Sequence, residues 1–87
     1  MTIKIQDFGN NITNEIIGEQ IYLKIKENLS SDEIELDFQK VRVMTTFCAK
    51  QIFGRLLKEL GQEMFFRKLS FVRADDNIKY IISIGVE

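Results

Sequence analysis

Two adjacent hydroxyls, Thr45 and Thr46, stand in the stretch "VRVMTTFCAKQIFG", where a polar link gives way to an apolar helical periodicity. A hydroxyl at a helix start does one of two things. It caps the helix by accepting the N–H of the second or third helical residue, a contact worth ~1 kcal/mol. Alternatively it is a modifiable group, because a phosphate placed there carries nearly two negative charges beside the positive end of the helix dipole. Both roles stay open from the residues alone. At ~100° per residue, Phe47 points away from the apolar stripe of this helix, and Gly54, seven residues on, lies on the same side with Gln51. An aromatic ring beside a bare glycine makes a small docking patch. The plainer reading tucks Phe47 against the loop after the first strand or against the tail.

Few other residues carry chemistry. The chain has no histidine and one cysteine, Cys48, so zinc and haem lack their usual ligands and neither a Ser-His-Asp nor a Cys-His arrangement can be built. The common phosphate-cradling loops, GxxxxGK[ST] and GxGxxG, do not occur. Thirteen carboxylates on 87 residues mostly form a solvated surface. Asp75 and Asp76 read as a helix cap with a spare, and Asp37 as support for the loop before Thr45. Cys48 borders an apolar stripe and reads as a small core residue. No cofactor and no catalytic group is expected.

The bulk numbers exclude further classes. Twelve basic residues are scattered among thirteen acidic ones, for a net charge of −1, so no basic field exists to condense on nucleic acid. Apolar runs fall far short of the ~20 residues that span a bilayer. The start "MTIKIQDFGNN" lacks the basic and apolar regions of a signal peptide, and a lone cysteine forms no internal disulfide. The expected location is cytoplasmic, with no membrane contact.

These residues need elements to position them. Residues 2–7 alternate apolar and polar as a half-buried strand, and "FGNN" turns the chain. Ile17, Ile21, Ile25 and Leu29 mark a helix over 13–29, which Gly18 weakens by ~1 kcal/mol relative to alanine. Ile16 and Leu23 form a second stripe on it, for packing within the monomer or for a dimer contact. Residues 33–38 alternate again, with Glu33, Glu35 and Asp37 on the polar side. A broad stripe from Ala49 to Leu60 predicts a helix over 46–60, stopped by Gly61. "KLSFVR", 68–73, is the third strand. The tail, 75–87, fits helical and strand spacing about equally.

The order β-α-β-α-β, plus the tail, predicts a single α/β domain over 1–87, with right-handed crossovers and helices on one face. The simplest strand order is 1-2-3, with Lys4 and Lys68 flanking the acidic middle strand. A purely parallel sheet rarely leaves a face open, so an antiparallel pairing or a dimer is expected.

The middle of the chain, "IELDFQKVRVMTTFCAKQIFGRLLKELG", resembles the STAS-like family of unknown function, related to the anti-sigma-factor antagonist (STAS) domains. Leu36-Asp37-Phe38, Thr45-Thr46-Phe47 and Phe53-Gly54-Arg55-Leu56 fill that family's "LDF", "[ST][ST]F" and "xFGxL" places. The flanks "TIKIQDFGN" and "LSFVRADDNIKYII" fit its first strand and its last strand and helix. The resemblance implies a small two-layer sandwich, β-α-β-α-β-α, with helices on one face of a mostly parallel or mixed sheet. It tilts the tail toward helix. It also implies a histidine-kinase-like ATPase as partner and a phospho-acceptor at Thr45 or Thr46. The antagonists usually carry "DSSG" at this step; Met44-Thr45-Thr46-Phe47 lacks both the aspartate and the glycine.

The expectation is therefore a non-enzymatic regulatory module that binds a protein partner through Val43, Met44, Thr45, Thr46, Phe47, Gln51 and Gly54. The rivals are a self-associating module, a homodimer, and a small-ligand or nucleotide pocket at the strand C-terminal ends.

Overall fold

The computed structural model describes residues 1–87. Three strands, β1 (Thr2–Lys4), β3 (Ile34–Asp37) and β5 (Leu69–Val72), form one sheet in the order β1-β3-β5, the 1-2-3 order that one-faced strands predict. Both pairings are parallel, with Ile3 opposite Leu36 and Leu36 opposite Phe71. The expected antiparallel pairing is absent from the chain. The sheet tolerates an uncovered side because that side is mostly polar: Thr2, Lys4, Glu35, Asp37 and Ser70 share it with one apolar residue, Val72. The other side carries Ile3, Ile34, Leu36 and Leu69, all buried, and Phe71, partly buried, into a single core.

The first strand is shorter than its alternation suggests. It ends at Lys4 and tightens into a 3-10 turn, Ile5–Phe8, which still buries Ile5. A second, two-stranded sheet follows from residues with no strand signal of their own. Its strands β2 (Asn11–Ile12) and β4 (Val43–Met44) pair in parallel, with Ile12 opposite Met44. The link 39–44 is thus partly a strand.

Helix α1 (Glu15–Glu27) is capped by Asn14, whose side chain accepts from Ile17 N–H at 2.9 Å. The predicted helix over 46–60 is continuous but not uniform. It runs as α2 (Thr46–Ala49), a π-helical segment Lys50–Gly54, and α3 (Arg55–Leu60). Arg55 N–H reaches back to Lys50 C=O across the widened turn. Gly61, at φ +84°, ends it and starts a short helix missed by periodicity, α4 (Gln62–Lys68). Seven residues with one buried ring, Phe65, leave too little pattern to read. Lys68 closes α4 instead of opening β5. The tail is helical: α5 (Asp76–Gly85), with Asp75 accepting from Ile78 N–H at 2.8 Å.

The aromatic core joins the layers. Phe53 of the π segment meets Phe71 of β5 edge-on at 5.2 Å between centroids, and Phe38 lies 6.2–6.3 Å from both. On its other side, the helix over 46–60 touches α5 at a contact made possible by glycine. A Cβ on Gly85 would stand 2.9 Å from Ala49, and one on Gly54 would stand 3.0 Å from the Gly85 carbonyl. Gly85→Ala is expected to destabilise the fold by ~1–3 kcal/mol, as overpacking of a close contact does. Chemical denaturation measures it. Unchanged stability would mean that α5 does not sit this close.

Candidate functional site

The start of the helix over 46–60 is placed by three contacts. Strand β4 hydrogen-bonds to the segment before α1: Arg42 N–H donates to Asn10 C=O at 2.8 Å, and Thr45 N–H to Ile12 C=O at 3.1 Å. Thr45 then caps the helix, its Oγ1 accepting from Cys48 N–H at 3.1 Å. Cys48, fully buried, points its Sγ at Asn14 C=O, 3.5 Å away. The first turns of α1 and α2 therefore lie side by side.

The two threonines differ in what the fold asks of them. Thr45 is half-buried and its oxygen is engaged in the cap. Thr46 is exposed, and its hydroxyl has no partner in the chain. Phe47 is 59% exposed, so the plainer reading, in which it tucks against a loop or the tail, does not hold. Val43 is 44% exposed. These three residues are on the surface; the other members of the expected contact set are not free. Met44 is buried, because alternation in β4 sends it into the core beneath exposed Val43. Gln51 is turned onto α1, donating to Glu15 C=O at 2.9 Å and to Glu19 at 3.3 Å. Its carbonyl oxygen is buried against Gly18, where a side chain would collide with it. Gly18 thus gives up helix propensity to admit Gln51. Gly54 sits under the Gly85 carbonyl as a packing residue, not as the floor of a patch with Phe47.

One side chain was undervalued by the pattern. Ile16, in the first turn of α1, is 72% exposed, and Leu23 is 52% exposed, so packing within the monomer does not explain that stripe. Ile16 stands in the turn that Gln51 and Cys48 touch, and adds an apolar group to this end of the molecule.

Two electrostatic clusters hold the surroundings. Between α1 and α3, Arg55 pairs with Glu19 and lies 3.6 Å over the Tyr22 ring, while Glu59 accepts from Tyr22 Oη at 2.6 Å and pairs with Lys26 at 3.0 Å. The Arg55 hydrogen bond holds the Glu19 carboxyl below its ordinary value; Tyr22 Oη and Lys26 do the same for Glu59.

The second cluster closes the C-terminal ends of β3 and β5. Asp37 is only 4% exposed although it lies on the uncovered side of the sheet. Its two oxygens accept from Arg73 Nε and Nη2, both at 2.9 Å, and Oδ1 also accepts from Gln39 N–H in the link. Of the expected partners, Lys4 does lie opposite Asp37 and its charge helps hold that carboxyl low, behind Arg73 and Gln39 N–H; Lys68 does not answer the acidic strand. Lys68 donates instead to the carbonyls of Leu29 and Ser31. Arg73 adopts φ +55° to reach back, a left-handed conformation that a planar two-pronged contact offsets. This pair fills the end of the sheet where open α/β folds hold ligands.

A family model described as a STAS-like domain of unknown function matches residues 18–79, well over half of the chain. The chain belongs to this STAS-like family. No curated protein and no solved structure matches it at a significant level. The matched span of the STAS-like domain runs from inside α1 into α5, so it holds the Thr45 cap, the π segment and the Asp37–Arg73 pair. No helix of the domain is long and apolar enough to cross a membrane.

Two outcomes follow for the STAS-like domain. Thr45→Ala is expected to cost ~1 kcal/mol of stability and Thr46→Ala less than ~0.5 kcal/mol, read from denaturant midpoints. Equal costs would contradict the cap assignment. Arg73, then Gln39 N–H, hold the Asp37 carboxyl below its ordinary 3.8. A depressed folded value means that the stabilisation is complete above the unfolded value and is lost as pH falls through the lower folded one. Stability should therefore drop below pH ~4, and Asp37→Asn should flatten part of that slope while costing ~1.5–3 kcal/mol at neutral pH. An unaltered acid profile in Asp37→Asn would rule the pair out as its source.

Proposed function

We propose that this STAS-like domain is a non-enzymatic regulatory module that acts by protein–protein contact through the start of the helix over 46–60. One observation carries the reading. Val43 and Phe47, both apolar and exposed, flank an exposed threonine hydroxyl that takes no part in the fold. Ile16 widens the same apolar end.

The supporting logic is physical. Aromatic side chains, phenylalanine among them, are enriched at protein interfaces over the rest of the surface. The helix start that presents them is rigid, being tied to β2, to α1 and to its own cap. A rigid surface loses little entropy on binding. Thr46 stands at the first helical position, where added negative charge is tolerated by the fold and changes the surface that a partner meets. Regulation by a phosphate on Thr46 is part of the proposal. Thr45, whose oxygen is committed to Cys48 N–H, serves as its support.

The resemblance of "MTTFCAKQIFG" to the antagonist step makes a histidine-kinase-like ATPase the first partner to try. In calorimetric titrations against such an ATPase, Phe47→Ala and Thr46→Glu are expected to weaken binding at least ~10-fold, with Thr46→Ser close to the parent. The same affinity across all four proteins would refute the surface.

A further inference from the structure

The outer edge of β5 is left open. Phe38 N–H donates to Val72 C=O at 2.9 Å, so in this parallel register Ser70 and Val72 spend their backbone groups on β3. Phe71 and Arg73 turn theirs to the other side. The Phe71 N–H and C=O, the Arg73 N–H and the Leu69 C=O have no hydrogen-bond partner in the chain.

Sheets normally guard such an edge with charge, lysine above all. The opposite edge follows that rule: β1 has only three residues, includes exposed Lys4, and runs into a 3-10 turn. β5 reads Leu-Ser-Phe-Val, with no charge in it. Its two flanking cations are drawn elsewhere, Lys68 to the carbonyls of Leu29 and Ser31, and Arg73 onto Asp37. Beside the edge lies a groove of about 270 Å³ lined by Phe65, Phe66, Phe71, Ile82 and Val86, with Lys79 and Ser83 as its polar members. The Phe66 ring is 54% exposed.

We propose that β5 pairs with the β5 strand of a second copy of this chain, antiparallel about Phe71, to make one continuous six-stranded sheet. The free groups are self-complementary in that register. Phe71 exchanges both of its backbone hydrogen bonds with the partner's Phe71, and Arg73 N–H donates to the C=O of the partner's Leu69, with the symmetric bond returned. The two-fold axis stands perpendicular to the sheet, so both helical layers lie on the same side and the two apolar grooves close on each other. Pairing consumes the free β5 edge in each copy, and the assembly stops at a dimer. It also supplies the antiparallel contact that a sheet with one uncovered face ordinarily contains. A four-residue strand alone buries too little for a stable contact, so Phe66 and the groove have to contribute.

Sedimentation over roughly three decades of concentration, joined to amide hydrogen exchange, tests this. The full chain is expected to dimerise, and Phe66→Lys and Phe66→Ser to raise the dissociation constant at least ~10-fold. The Phe71 and Arg73 amides should be protected in the dimer and exchange quickly on dilution, with the Leu36 amide protected throughout. A chain that stays monomeric at every concentration overturns the proposal. So does a dimer whose dissociation constant ignores both Phe66 variants and whose Phe71 amide exchanges freely.

Discussion

A three-stranded sheet with apolar side chains on one face has only that face to offer, and every long helix of this domain has to share it. α1, the helix over 46–60 and α5 crowd together in consequence. The crowding is relieved where side chains are smallest. Gly18 lets Gln51 of the neighbouring helix lie on α1, and Gly85 rests on Ala49 with its carbonyl over Gly54. Dispersion between close backbones replaces what larger side chains would have contributed. The helix that is touched from both sides is also the one that leaves regular α geometry, between Lys50 and Gly54.

The uncovered face is held by different means. Asp37 is the one buried charged side chain, and its burial is satisfied by three hydrogen bonds, two from Arg73 and one from Gln39 N–H. The pair ties the ends of β3 and β5 to the beginning of the link that leads to Thr45. Removing one member leaves the other without its answering charge, so the contact is worth more intact than either half suggests. The fold thus uses apolar burial on one side of the sheet and directed charge pairing on the other, with Arg73 on Asp37 at 2.9 Å and, more loosely, on Glu35 at 3.8 Å.

Much of this is legible in the sequence. Period-two alternation located β3 and β5, and the Ile17-Ile21-Ile25 and Ala49–Leu60 stripes located the two main helices. The one-sided strands led to the order β1-β3-β5. Periodicity alone divides the tail, because Ile78, Ile81, Ile82, Ile84 and Val86 satisfy both periods; the family resemblance tilts it toward helix, and the structure shows that helix with its Asp75 cap. Other features had no local signal. β2 and β4 are two residues each and exist only through each other. Charge alone puts Lys68 beside the acidic strand, but its ammonium donates to the carbonyls that follow α1. At the candidate site, residue type identified the cap pair, yet which threonine is free depended on a single hydrogen bond. Regular helical spacing puts Gln51 and Gly54 on the surface, and packing against α1 and α5 reassigns them; Met44 reads as part of an exposed link, and its pairing in β4 turns it inward.

The widened turn at Lys50–Gly54 stands between two differently anchored halves of one helix. A π segment behaves as a regular helix that has absorbed an additional residue. Upstream of it, Thr46 and Phe47 face solvent; downstream, Arg55 and Glu59 are locked to Tyr22 and its neighbours on α1. The turn sets the rotational phase of one half independently of the other. Each half is therefore fixed to its own neighbours, the upstream turn to β2, α1 and α5 and the downstream turn to α1, and the widened turn lets a single helix meet both sets of contacts.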